Sequence, residues 1–440
     1  MATILLAPFA GHGHINPTLK LARALGQRGH RVVYAGPLDC QELVTRRGGE
    51  FIPVLEEQLP KGSFDPFQAS GFLGHVRQLR ALTRRVDAAL LAIAEGALDG
   101  VFERVRPDLV VCDTLLPYTA LVAHGHGVPA VFFNTSVPRE FIHPFLSRPP
   151  TEPSRRLRAH AVRALLGVMG ALGIAPRMNE RSARIARRYG YPVEALATEP
   201  ERLLAPRLPE LVLAPREFAE PDGYVESHYI YAGPSIDLDR APMDFPWERL
   251  AADKPLILFS LGSQGAFRRA LEQQVLDTVF AAARARPQWQ FVFAVTPAHD
   301  PKPYDAEPNV VAVHSAPLLQ LLERATAVVT HGGFNTVKEC IYFGVPMVVV
   351  PFVFDMPGVG RAVEHRGLGI SCPAKTLKLE HLLASLDSLV GEPRWRAALA
   401  AMRACFHENE RNNSAADALE RLLQAPEAQG ARLRPGSSAR

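Results

Sequence analysis

Lysine is nearly missing from this chain of 440 residues, where only Lys20, Lys61, Lys254, Lys302, Lys338, Lys375 and Lys378 occur. No GxxxxGK[ST] is present, so a phosphate site built around a P-loop lysine is excluded. Arginine makes up the deficit, and 49 basic against 45 acidic residues leave a net charge of only +4. Such a balance carries no nucleic-acid signature. The five cysteines, Cys40, Cys112, Cys340, Cys372 and Cys405, form no CxxC pair. That excludes a local zinc or redox motif and suits a reducing compartment. No run approaches the ~20 apolar residues of a membrane span. The apolar stretch at 4–7 has no basic residue before it, so no signal peptide is expected and the expected location is cytoplasmic. A nucleophile elbow is missing too, since Leu261 stands where GxSxG would need glycine before Ser263.

What remains is ordinary composition with strong patterning. With 47% hydrophobic and 21% charged residues, the chain reads as globular and long enough for two or three domains. Residues 3–8, 31–36, 109–112 and 129–133 read as buried strands, and 17–28 as a helix with Leu21, Ala24 and Leu25 on one face. The grammar restarts at 255–261, 291–295, 310–313, 327–330 and 347–350. Strands alternating with helices imply parallel sheets. The expected fold is α/β, two Rossmann-like parallel-sheet domains facing across a cleft. They would span 1–222 and 251–424, joined by a proline- and glycine-rich linker at 223–250, with a disordered tail at 425–440. Ligands of open α/β sheets bind at the C-terminal strand edges, which here face the cleft.

Two segments could carry chemistry there. Thr330-His331-Gly332-Gly333-Phe334-Asn335-Thr336 leaves a strand and opens a helix at about Asn335. Paired glycines admit a ligand close to the backbone, and the helix N-terminus offers unpaired N–H groups and a positive dipole end. The segment reads as a lysine-free diphosphate cradle or as a glycine-rich turn with an asparagine cap. Gly11-His12-Gly13-His14-Ile15-Asn16-Pro17 follows the first strand. Its histidines should point into the cleft, and by itself the segment reads as a weak metal pair or as a helix-entry turn capped by Asn16. Asn16 also occupies the position of the third glycine of a dinucleotide fingerprint.

THGGFNTVKECIYFGVPMVVVPFVFDMPGVGRAVEHRGLGI at 330–370 resembles the nucleotide-sugar signature of the family-1 glycosyltransferases of the GT-B fold. These include plant secondary-product enzymes and bacterial macrolide and carotenoid glycosyltransferases. APFAGHGHINPTLKLARALGQRGH at 7–30 and FSLGS at 259–263 are similar to the family's other conserved segments. The resemblance implies an inverting, metal-independent hexosyltransferase moving sugar from a UDP- or dTDP-sugar to a hydroxyl of a lipophilic small molecule. It implies that His14 is the general base and Asp113 its orienting partner. His331, Gly333, Asn335, Thr336 and Ser263 would hold the diphosphate. Glu339 would accept from the ribose, Ser315 and Ala316 would adjoin the base, and Asp355 and Met356 would face the sugar. No cofactor beyond the co-substrate and no metal are implied.

The chain departs from that pattern twice. Ser315 replaces the tryptophan that stacks on uracil in plant enzymes, which leaves the choice of UDP or dTDP open. Met356 replaces a glutamine that bonds sugar hydroxyls; its thioether is a weak acceptor, so either the donor lacks a hydroxyl or water serves it. Asp237-Leu238-Asp239 reads as solvated linker acid rather than a metal-binding DxD. The arginine-rich stretch 151–190 reads as a pocket wall, or as a basic surface resting on an anionic membrane. A sugar-nucleotide epimerase of the same shape and a non-catalytic sugar-nucleotide-binding protein are the alternatives. The chain is expected as a monomer or homodimer.

Overall fold

A computed structural model describes residues 1–65, 71–138, 178–196, 205–220, 228–240, 242–262, 269–296 and 299–424. Ser263, the tail at 425–440 and most of the arginine-rich stretch lie outside them.

Thirteen strands among the described residues form two parallel sheets. The first sheet holds β1 (Thr3–Ala7), β2 (Arg31–Gly36), β3 (Glu50–Pro53), β4 (Leu109–Asp113), β5 (Ala130–Asn134), β6 (Glu210–Val212) and β7 (Tyr229–Tyr231), in the order β3-β2-β1-β4-β5-β6-β7. The second holds β8 (Leu256–Ser260), β9 (Gln290–Ala294), β10 (Val310–Val313), β11 (Ala327–Thr330), β12 (Met347–Val349) and β13 (Gly369–Ser371), in the order β10-β9-β8-β11-β12-β13. The strand order reverses direction between β1 and β4 and between β8 and β11. These are the switch points where parallel sheets leave room for a ligand.

Side-chain alternation sets the layers. Ile4 and Leu6 of β1 join the core beneath the helices His12–Gln27 and Ser414–Gln424. Leu5 and Ala7 join the opposite core, beneath Gly71–Ala94, Asp99–Val105 and Pro117–Gly125. The last helix, Ser414–Gln424, therefore packs on the first sheet, although the expected boundary placed it with the second. The stretch expected as linker contributes β7, which pairs in parallel with β6.

Asp237 is not the solvated linker acid expected. It is buried, and it accepts from Arg23 at 2.5 Å and Arg47 at 2.9 Å. Two guanidinium groups from the first half thus pin the segment that leads to the second.

The first helix begins at His12, five residues earlier than periodicity suggested, with Gly11 at its N-cap and Pro17 inside it. Pro17 has no N–H to give to the carbonyl four residues back, that of Gly13. The vacancy is filled from the other half of the molecule, where Asn335 Nδ2 donates to Gly13 O at 2.8 Å.

Candidate active site

β1 and β4 lie side by side at the first switch point, with Ala7 registered against Cys112. The first turn of the helix His12–Gln27 carries His14, and β4 ends at Asp113. His14 Nδ1 lies 2.7 Å from Asp113 Oδ2. Asp113 is 1% exposed and His14 24%. The carboxylate is fixed by backbone N–H donors, Leu115 at 2.9 Å to Oδ1 and Phe9 at 3.4 Å to Oδ2. Thr135 Oγ1, just beyond β5, lies 3.1 Å from the same ring nitrogen. Nδ1 is thus occupied, which leaves Nε2 as the nitrogen free to take a proton.

Burial, one hydrogen bond and two neighbouring charges set the proton affinity of His14. Burial lowers its pKa, but the Asp113 hydrogen bond, the Asp113 charge and the charge of Asp355 together raise it above the ordinary value. Asp355 comes from the second half and sits just before the helix Met356–His365. Ser136 Oγ donates to Asp355 Oδ2 at 2.5 Å across the cleft. Thr135 and Ser136 were not singled out from sequence. Their signal was there, two hydroxyl side chains directly after an apolar strand run.

The second switch point holds His331, one residue beyond β11, whose N–H reaches Ser260 O on β8 at 3.3 Å. Its imidazole lies between two glycines. A Cβ on Gly262 would come within 2.5 Å of the ring, and so would a Cβ on Gly333. Burial lowers the His331 pKa and keeps the ring neutral. The helix Phe334–Phe343 starts one residue before the expected Asn335, and Gly333 is its N-cap, with no side-chain cap bond. Asn335 is therefore not the cap. Its amide is the bridge to Gly13, and its Oδ1 is buried without a hydrogen-bond partner among the described residues. The first-turn N–H groups, Thr336 among them, remain open to an anion.

One turn further, Glu339 is 4% exposed and ion-paired with Arg240. Burial raises its pKa despite Arg240 and Lys338. Arg240 was invisible in the sequence, because nothing in a linker arginine marks it as a partner of an acid 99 positions on. Ser315 is exposed in the turn after β10. Ala316 packs on the core that also holds Phe334 and Val337. Met356 heads its helix with Asp355 beside it. The structure thus gathers His14, Asp113 and Asp355 into one cluster and His331, Gly333 and Asn335 into a second. The Asn335–Gly13 bond joins the two.

Arg181 and Arg188, in the described part of the arginine-rich stretch, pair with Asp87 at 2.8 Å and Asp99 at 2.9 Å. No helix among the described residues is long and apolar enough to cross a membrane.

Comparison with known proteins supplies the context for this geometry. Residues 289–421 match the C-terminal domain of the erythromycin biosynthesis protein CIII-like family. The chain is 29% identical to oleandomycin glycosyltransferase of Streptomyces antibioticus, over 96% of this chain and 91% of that protein. It is 28% identical to demethyllactenocin mycarosyltransferase of Streptomyces fradiae, over 96% of this chain and 87% of that protein. Among solved structures, the kitacinnamycin glycosyltransferase is similar with a TM-score of 0.69 at 24% identity, covering 96% of this chain and 98% of that one. The glycosyltransferase VinC, solved in complex with dTDP, is similar with a TM-score of 0.68 at 20% identity, covering 96% and 99%.

Proposed function

This chain belongs to the nucleotide-sugar glycosyltransferases of bacterial macrolide type, and from that premise we propose that it transfers a hexose, with inversion, from a UDP- or dTDP-sugar to a hydroxyl of a lipophilic natural product. The observation that carries this reading is the His14–Asp113 pair at one switch point, facing an anion-ready helix N-terminus at the other.

In this scheme the acceptor hydroxyl gives its proton to His14 Nε2, while Asp113 holds Nδ1–H and stabilises the imidazolium that forms. The acceptor oxygen attacks the anomeric carbon from the face opposite the diphosphate. The carbon–oxygen bond to phosphate breaks, and the diphosphate leaves with the electron pair. Its growing charge is met by the first-turn N–H groups of Phe334–Phe343 and by His331, fixed donors needing little reorganisation. Glu339 binds the ribose, with Ser315 and Ala316 beside the base and Asp355 on the sugar. Ser263 belongs to the diphosphate loop. A divalent ion and a cofactor have no part in these steps.

The test is thermal stabilisation by UDP, dTDP, GDP and NAD with EDTA throughout. A nucleotide at about 100 times its Kd adds ~2.7 kcal/mol, a rise of several degrees for domains of this size. A rise with UDP or dTDP is the expected result and names the donor class. A rise with NAD alone contradicts the reading. Incubating a nucleotide-sugar without acceptor separates transfer from epimerisation, which needs no acceptor.

A further inference from the structure

The odd-numbered residues of β1 lead into a hollow that no step above uses. Leu5 and Ala7 face a cavity of about 120 Å³ lying between the first sheet and the helices Gly71–Ala94 and Asp99–Val105. Leu90, Val101 and Phe102 line it, and so does Phe9. Phe9 stands edge-on to the His14 ring, with centroids 5.2 Å apart, and edge-on to Phe64 at 5.4 Å. The cavity therefore reaches the proton-accepting histidine through a single aromatic side chain.

Its chemistry is uniform. Among the described lining residues none is charged, and the only side-chain hydroxyls are those of Tyr118 and Thr119. An apolar cavity of roughly 150 Å³ stays dry and takes up a small hydrocarbon, so this one has the size and lining to do the same. The helices that roof it are held from outside. Arg181 grips Asp87 with two hydrogen bonds of 3.0 and 2.8 Å. Asp99 accepts from the Tyr189 hydroxyl at 2.7 Å and from Arg188 at 2.9 Å, and it faces His126 Nε2 at 3.0 Å. These contacts tie both roof helices to the helix Met178–Arg188 and the residue after it.

We propose that this cavity receives a slender, uncharged hydrocarbon tail of the acceptor, while the hydroxyl to be glycosylated stays outside it, beyond Phe9 at His14. The inference rests on the glycosyltransferase reading for the hydroxyl, but not for the tail. It makes the acceptor a molecule with an alkyl or isoprenoid end rather than one that is polar throughout. Specificity then comes from the depth of the cavity, because a charged tail would be desolvated there without a partner.

Binding of 4-alkylphenols, from methyl to octyl, measured by calorimetry on the full-length protein without donor, tests the tail site. Kd should fall about fourfold per methylene until the tail fills the cavity and then level off. Ala89→Leu and Ala35→Val each place extra carbon in the cavity on residue types suited to helix and strand. Each should cost the octyl compound about tenfold or more relative to the methyl one. A melting temperature no lower than the parent's shows that a variant is folded. A Kd independent of tail length overturns the proposal, as does a length dependence that both folded variants retain. Turnover of the same phenols with UDP-glucose and dTDP-glucose is scored separately. Tail-dependent binding without any transfer would contradict the transferase reading while leaving the hydrocarbon site in place.

Discussion

At the scale of single residues, the balance on His14 decides what the site can do. Burial alone would lower its pKa and make a weak base that is always neutral. Asp113, with Asp355 behind it, reverses that shift. A base acts in its neutral form, so activity should rise with pH through the raised pKa of His14. Asp113→Asn removes the two largest raising influences and leaves burial against the smaller effect of Asp355. The acidic limb of the rate profile should then move to lower pH, while the plateau falls about a hundredfold or more because the ring loses its orientation. An acidic limb that stays in place would mean that another group titrates in this range. The pair is also the part of the site that residue type alone could not assign. A strand-end aspartate and a histidine 99 positions earlier acquire meaning only when β1 and β4 are neighbours.

At the scale of elements, the sequence was legible at most of the apolar strand runs, though not at 51–55 or 211–214. β2, β10 and β11 have the bounds that the apolar runs implied, and β1, β4, β5, β8, β9 and β12 differ by a residue or so at an end. β3, β6, β7 and β13 were not read, because stretches such as Glu210–Val212 and Gly369–Ser371 are too short to show a period. The first helix was placed late because Pro17 looks like a start signal; in fact it sits inside, and its missing N–H is compensated by Asn335. The paired glycines between β11 and the helix Phe334–Phe343 raised the expectation of an anion site there. Only the structure shows that Gly262 and Gly333 also make room for the His331 ring. Gly333 has an ordinary φ of −60°, so alanine there adds a collision and no backbone strain. Gly333→Ala should displace His331 and cost a charge-assisted hydrogen bond of about 1.5–3 kcal/mol, roughly ten- to a hundredfold in the Kd for the nucleoside diphosphate. Unchanged affinity would show that His331 does not touch the phosphates.

The whole molecule sets its two candidate clusters on two sheets and ties the sheets together. One hydrophobic core runs from β6 and β7 of the first sheet to β8, β11 and β12 of the second. Within it Phe218 stacks on Phe334, with ring centroids 6.0 Å apart, and meets Phe406 at 6.1 Å. Lys338, on the cradle helix, is buried and donates to Leu213 O at 3.1 Å and Pro234 O at 2.9 Å, and burial brings its pKa down to about 7. Polar bridges add to this at the cleft itself, Asn335 to Gly13 and Ser136 to Asp355. The cost of aligning the two switch points is therefore met largely before any substrate arrives, which is how positioning lowers a barrier.

The proposed division of labour puts proton removal in the first half and diphosphate binding in the second. His14→Ala tests it directly, with turnover and the Kd for UDP and dTDP measured on the same preparation. Turnover should fall at least about a hundredfold while the nucleotide Kd stays within about twofold. Full turnover in the variant would remove His14 as the base, and a lost nucleotide site would contradict the division of labour.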